Sequence, residues 1–214
     1  MLWSILIAAI PERYHTVQPL LLSLLEHQSV ARMPDVELLY LLDNKRRTVG
    51  AKRNDLVAAA SGEYISFIDD DDEVASNYVN KIYWTIVKAR KAEPPADVIC
   101  FGQRATLAPA GITHECKYSL DYWKNRAADK RRQLDPAYDE HGQVKPYELN
   151  WSGPPAHTMV WRREMIGGFR FPEKQFGEDV DWVDQCCEKA VSEVQIEGPP
   201  LYFYKFDESK TATR

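Results

Sequence analysis

The sequence predicts an α/β domain with a mostly parallel central sheet flanked by helices. Two observations carry that prediction. The first hundred residues alternate apolar runs of strand length with helical segments, and repeated β-α-β order implies a parallel sheet with helices on both faces. The second is a run of four acids, Asp69 to Asp72, directly behind the apolar run Tyr64-Ile65-Ser66-Phe67-Ile68. In open α/β sheets ligands bind outside the carboxyl ends of the strands, which is where these acids emerge.

Each element has its own signal. Leu2–Ile10 is apolar throughout, lacks a basic leading segment and runs into Pro11-Glu12-Arg13, so it is a first core strand and not a signal peptide. Val17–Gln28, with Leu at 20, 21, 22, 24 and 25, is a helix with one broad buried face. Asp35–Leu42 is the second strand, ending at Asp43, and Gly50–Ser61 a short helix closed by Gly62 as its C-cap. Tyr64–Ile68 is the third strand. A helix over 76–91, with Tyr78, Ile82, Trp84, Ile86 and Val87, stops at Glu93-Pro94-Pro95, and Asp97–Gly102 is the fourth strand. Residues 104–150 are polar, basic and aromatic, and predict a hairpin followed by an insertion. Ala156–Trp161, a helix over 178–191 and a strand pair around 194–206 complete a single domain over 1–214.

Composition narrows the class. A chain of 214 residues, 44% hydrophobic and 28% charged, can bury one large core, or one core with an appendage, and 11% aromatic content with six Trp argues against disorder. No window reaches the eighteen or so uninterrupted apolar residues of a membrane span. Cys100, Cys116, Cys186 and Cys187 have neither metal-ligand spacing nor disulfide density, which predicts reduced thiols in a cytoplasmic protein. A net charge of −5 gives no global attraction to nucleic acid, although 44–53 and 124–132 are basic.

Four adjacent carboxylates repel one another and are tolerated where a cation gathers them. Hard divalent cations prefer carboxylate oxygens, and Mg2+ or Mn2+ bridges one or two carboxylates to substrate phosphates. The acid run therefore suggests a metal–diphosphate site, against the alternative of a solvated acidic loop.

Four stretches in order resemble the inverting nucleotide-sugar glycosyltransferases of family 2, which have the GT-A fold, a Rossmann-like sheet. They are Ile5 to Arg13; Gly50-Ala51-Lys52-Arg53-Asn54 with Ala60 to Asp72, similar to the segment entering the family's DxD motif; His157 to Glu164 with Gly168-Phe169-Arg170-Phe171; and Phe176-Gly177-Glu178-Asp179-Val180-Asp181-Trp182, similar to its late acidic motif. The short form is also similar to glycosyltransferases encoded by bacteriophages.

The resemblance implies roles. Pro11, Glu12 and Asp43 would hold the base and ribose of a nucleotide-sugar, a UDP-sugar above all, and Lys52 or Arg53 would neutralise its diphosphate. Asp71 would ligate Mn2+ or Mg2+, with Asp69 on the ribose or a metal-bound water. Asp70, between them, points the other way and ranks lower. Asp72 is either an acid behind the ligands or the N-cap of the next helix. Asp179 would be the base that takes the acceptor proton, with Glu178 as the alternative. Trp151, His157 and Trp161 are candidates for shaping the sugar or acceptor pocket. Two features depart from the family: no His follows His157 as a late metal ligand, and the Gln/Arg-x-x-Arg-Trp motif of processive members is missing from Val183 to Lys189. Transfer of a single sugar is expected.

Residues 1–103 would form the nucleotide-sugar-binding half, and 104–214 the acceptor-binding and catalytic half. The acceptor is a glycan, a small molecule or, if the phage-like form holds, hydroxymethylated bases in DNA, met by Lys124 to Arg132. Oligomeric state is not legible. Two other classes share the signals, a nucleotidyltransferase and a non-catalytic nucleotide-sugar-binding module. The first normally has a glycine-rich phosphate loop after the first strand, where Pro11-Glu12-Arg13 has no glycine.

Overall fold

A computed structural model of the chain describes residues 1–108, 111–125 and 150–207. Its centre is β1 (Trp3–Ala9), flanked in parallel by β2 (Val36–Leu42) and β3 (Tyr64–Phe67). Burial on both faces explains why β1 and β3 are continuous apolar runs without alternation. Beyond β3 come β9 (Val160–Arg162), β5 (Val98–Phe101) and β10 (Glu193–Ile196), in the order β10-β5-β9-β3-β1-β2. Only β9 in this sheet runs antiparallel to its neighbours.

A second sheet has the order β4-β11-β6-β7-β8. It joins β4 (Glu73–Val74), β11 (Tyr202–Asp207), the hairpin β6 (Gln103–Ala108) and β7 (Ile112–Tyr118), and β8 (Asn150–Gly153). The expected strand pair around 194–206 is therefore corrected. β10 pairs with β5 in the first sheet and β11 with β6 and β4 in the second. The expected hairpin is present, whereas the insertion at 126–149 lies outside the described residues.

Helix α1 (Tyr14–Leu22) continues through a wider turn to His27. Its buried stripe is Val17, Leu20 and Leu24 alone, with Leu22 and Leu25 exposed, narrower than the run of leucines suggested. Helix α2 (Val49–Ala59) starts at Thr48, whose hydroxyl accepts from the Ala51 N–H at 3.1 Å. It ends at Ala60, so Gly62 is not its cap. Gly62 instead lies against β1, where an added Cβ would sit 2.6 Å from the Ser4 nitrogen. Helix α3 (Tyr78–Ala89) buries Tyr78, Val79, Ile82 and Ile86 and leaves Trp84 in solvent. Two short helices, α4 (Leu120–Asn125) and α5 (Arg163–Ile166), precede α6 (Glu178–Lys189).

The core between α6 and the sheet is aromatic. Phe171 stacks on Trp182 at 4.6 Å, and Phe67 and Trp161 meet that pair edge-on. All four cysteines are buried and unbridged. Among the described residues no helix is long and apolar enough to cross a membrane.

Candidate active site

Because β3, β1 and β2 are neighbours and parallel, their carboxyl ends form one rim. The acid run leaves β3 there, Ile10 to Arg13 leave β1, and Asp43 leaves β2. Hydrogen bonds tie the three together. The Ile10 N–H donates to Asp70 Oδ2 at 3.0 Å, and the Asp43 N–H donates to the Ala9 carbonyl at 3.4 Å.

The four aspartates have four different environments. Asp69 accepts from Arg53 Nη2 at 2.8 Å and lies 3.2 Å from His157 Nε2. Asp70 turns back under β1, where it also takes Arg13 Nη1 at 2.7 Å. Asp71 keeps a side chain one-third exposed and meets Arg13 Nη2 at 3.0 Å. Asp72 is buried, and it is not a helix cap, since Asn77 precedes α3. It accepts from the Tyr202 hydroxyl at 2.7 Å and the Lys205 N–H at 2.9 Å, locking β11 to the site.

At the centre lies Arg53, buried on α2 above the rings of Phe67 and Phe171. Its guanidinium donates to Glu178 and Asp69 and touches His157 Nε2 at 3.0 Å. It reaches α6 because Gly50, one turn earlier, lets α2 press on the chain at Pro172. An added Cβ there would fall 1.9 Å from the Pro172 carbonyl oxygen. The adjacent Asn54 clips Phe171 from the same side, its amide donating to the Phe171 carbonyl and accepting from the Phe171 N–H, both at 2.8 Å.

The late acidic pair is split by the helix period. Glu178 faces inward and is 4% exposed, on the stripe with Trp182. Asp179 faces the cleft with its side chain 37% exposed, 3.5 Å from His157 Nδ1. His157 therefore stands between Asp69 and Asp179. Burial and the Arg53 charge push this histidine down, but the two carboxylates outweigh them and lift it to about 9. Burial pushes Asp69 and Asp179 up, yet His157 and Arg53 hold both well below the usual carboxylate range. The opposite holds nearby. Burial, with Asp69 and Asp70 alongside, raises Asp71 to about 6 despite Arg13. Burial raises Glu178 against the pull of Arg53.

The remaining predicted residues sit at the outer end of the rim. Lys52 is buried, its ammonium 3.2 Å from the Ala9 carbonyl and 3.3 Å from Asp43. Asp43 also takes Arg47 Nε and the Lys45 N–H, each at 3.2 Å. Pro11 and Glu12 are exposed, and Glu12 pairs with Lys45 at 3.1 Å. Trp161 is wholly buried, a core residue and not a pocket wall.

Arg13 and Tyr202 have no role in the sequence analysis, and His157 has a different one there. Arg13 has a visible signal, a cation beside the end of β1 at the level of an acid run that needs one. His157 lies between two carboxylates, a position that no local pattern in the sequence shows. Tyr202 gave no signal, because its part depends on β11 crossing to β4.

A hard divalent cation fits the donor set. Asp69 and Asp71 both offer carboxylate oxygen at the cleft surface, and burial, with Asp69 and Asp70 adding to it, raises Asp71. Among the described residues no three His, Cys, Asp or Glu converge as an all-protein cage.

The profile of Glycosyl transferase family 2 matches residues 26–143, more than half of the chain, and spans the acid run. The chain belongs to this family. Solved structures agree on the fold. This family 2 chain superposes on Staphylococcus aureus TarS 1–349 with a TM-score of 0.57 at 15% identity, over 96% of its own length and 60% of that chain. The same protein in complex with UDP-GlcNAc gives 0.59 at 14% identity, covering 99% and 60%. The chain thus spans about 60% of those structures, and 37% of a longer TarS structure. A search of curated proteins gave no match.

Proposed function

We propose that the protein transfers a single sugar from a nucleotide-diphosphate sugar to an acceptor hydroxyl, with inversion and with a divalent metal. The observation that carries this reading is the meeting of Asp69, at the end of β3, and Asp179, at the start of α6, on either side of His157. One group belongs to a diphosphate-binding run and the other is a cleft-facing carboxylate. Displacement at an anomeric carbon needs both a stabilised leaving group and a base.

Each residue then has a task. Asp71, with Asp69, would hold Mn2+ or Mg2+, which supplies charge neutralisation for the departing diphosphate. Asp43 accepts hydrogen bonds from the base or ribose, and Lys52 fixes Asp43 in place. Arg13 anchors the acid run. Asp179, kept ionised by His157, accepts the proton of the acceptor hydroxyl as that oxygen attacks. Glu178 holds Arg53, and Arg53 in turn holds Asp69, so both position the site instead of reacting. Residues 1–103 carry the donor side and 104–214 the acceptor side. UDP is the nucleotide to test first, because the TarS neighbours were solved with UDP and with UDP-GlcNAc.

The test is a thermal-shift panel of nucleotide-sugars with and without manganese. A UDP-sugar plus manganese should stabilise the protein, and Asp71→Ala should lose that response. Indifference to every nucleotide-sugar would overturn the reading.

A further inference from the structure

A cavity of about 800 Å3, bounded by described residues, lies apart from the acid-lined cleft. It lies at the opposite end of β3, where Tyr64 begins the strand, and is closed by α2, the end of α3 and the segment from Arg162 to Arg170. Helix α2 separates the two sites: Asn54 lines the cavity while Arg53 faces the cleft.

Its charge is unusual. Arg90, Arg162, Arg163 and Arg170 all line it. Arg90 pairs with Glu63 at 2.9 Å, and both side chains are more than two-fifths exposed, a contact that an anion readily displaces. Arg162 is held by Asp97 and Glu164. Arg163 spends its Nε–H on the Gly62 carbonyl at 2.6 Å and forms no ion pair with a described carboxylate. Arg170 forms none either, and both are exposed. Two guanidiniums therefore present free donor edges to one cavity. Four arginines thus face two lining carboxylates, Glu63 and Glu164, which leaves an excess of positive charge, and an apolar part of the wall comes from Val57, Ile166 and Phe169.

We infer that this cavity binds a phosphate-bearing small molecule of nucleotide size, separately from the sugar-donor cleft. The planar fork of arginine matches phosphate oxygens in pairs. A volume near 800 Å3 exceeds what a bare phosphate fills and lies within the range of organic-ligand pockets. The apolar walls then receive the ring of the ligand. The inference is independent of the transfer reaction, since it uses none of the cleft residues.

The experiment is isothermal titration with UMP, AMP and inorganic phosphate, with divalent metals chelated, on the wild-type chain and two groups of variants. Arg163→Gln/Arg170→Gln should weaken binding of the monophosphates at least about tenfold, the loss of one charge-assisted hydrogen bond. Gly168→Glu, where an added Cβ meets no atom within 4 Å, should do the same by placing a carboxylate in the cavity. Arg13→Gln, a change in the cleft, should leave affinity unaltered. Far-UV circular dichroism checks that each variant is folded. The inference is overturned if the wild type binds no monophosphate at millimolar concentration. It also fails if binding survives both cavity changes, or if Arg13→Gln alone removes it. Equal affinity for inorganic phosphate and for the monophosphates would overturn the organic part of the assignment.

Discussion

Arg53 and Arg162 each lie among carboxylates at opposite ends of one sheet, and the two surroundings differ in their balance. At the far end, the buried Asp97 receives Arg162 Nη2 at 2.6 Å and the N–H groups of Val191 and Ser192 at 2.8 and 3.2 Å. Donors there outnumber acids. Burial pushes Asp97 up, but these bonds hold it below the ordinary carboxylate range. At the cleft, Arg53 is shared by Glu178, Asp69 and His157, with Asp70, Asp71 and Asp72 close behind. Acids outnumber donors, and Asp71, Asp72 and Glu178 are pushed up by burial. The same residue types make a closed structural joint in one place and an unfinished electrostatic site in the other. Uncompensated charge of this kind marks function more often than stability.

That contrast can be broken at either end. The largest effect is expected from Asp179→Asn, which should lower transfer by about 10²–10⁴-fold, the usual contribution of a positioned base, while donor binding persists. Initial rates with a UDP-sugar and direct donor titration separate the two. Arg53→Ala should cost roughly 3–5 kcal/mol, because it strands Glu178 and Asp69 without their shared cation. Urea denaturation measures it, and a loss below about 1 kcal/mol would refute a central role for this arginine.

Asp97→Asn tests the closed joint. It should cost about 1–3 kcal/mol at neutral pH and leave transfer unchanged. Since folding lowers the Asp97 pKa, its stabilisation is present above pH about 4 and fades as pH falls through the acid range. The gap between wild type and variant should close on acidification. The smallest change should be a gain. Asp71 titrates near 6, above its unfolded value, so its ionisation opposes folding at neutral pH. Asp71→Asn should therefore stabilise the metal-free protein by about 1 kcal/mol, allowing for its partial exposure, while removing the manganese response. A loss of stability would mean that Arg13 already balances this carboxylate.

Much of the site was legible because its parts are local. Asp69 to Asp72 follow an apolar strand, and Glu178-Asp179 open a helix, so both motifs can be located without a structure. Their division of labour was not legible. Asp69 and Asp71 separate according to which reaches Arg53 and which Arg13, and Glu178 and Asp179 according to which face of α6 meets the core. Leu22 and Leu25 of the α1 segment and Trp84 are exposed against their hydrophobicity for the same reason, since burial follows only where a partner surface exists.

By itself, the sequence determined the α/β architecture, the position of the acid run at a strand end and the family. These rest on short-range periodicity and contiguous motifs. Tertiary structure alone decided that His157 sits between Asp69 and Asp179, that Arg53 is their common cation, and that β10 and β11 belong to different sheets. Such facts depend on contacts between residues far apart in the chain. Their geometry is set by how layers pack, and no local pattern encodes it.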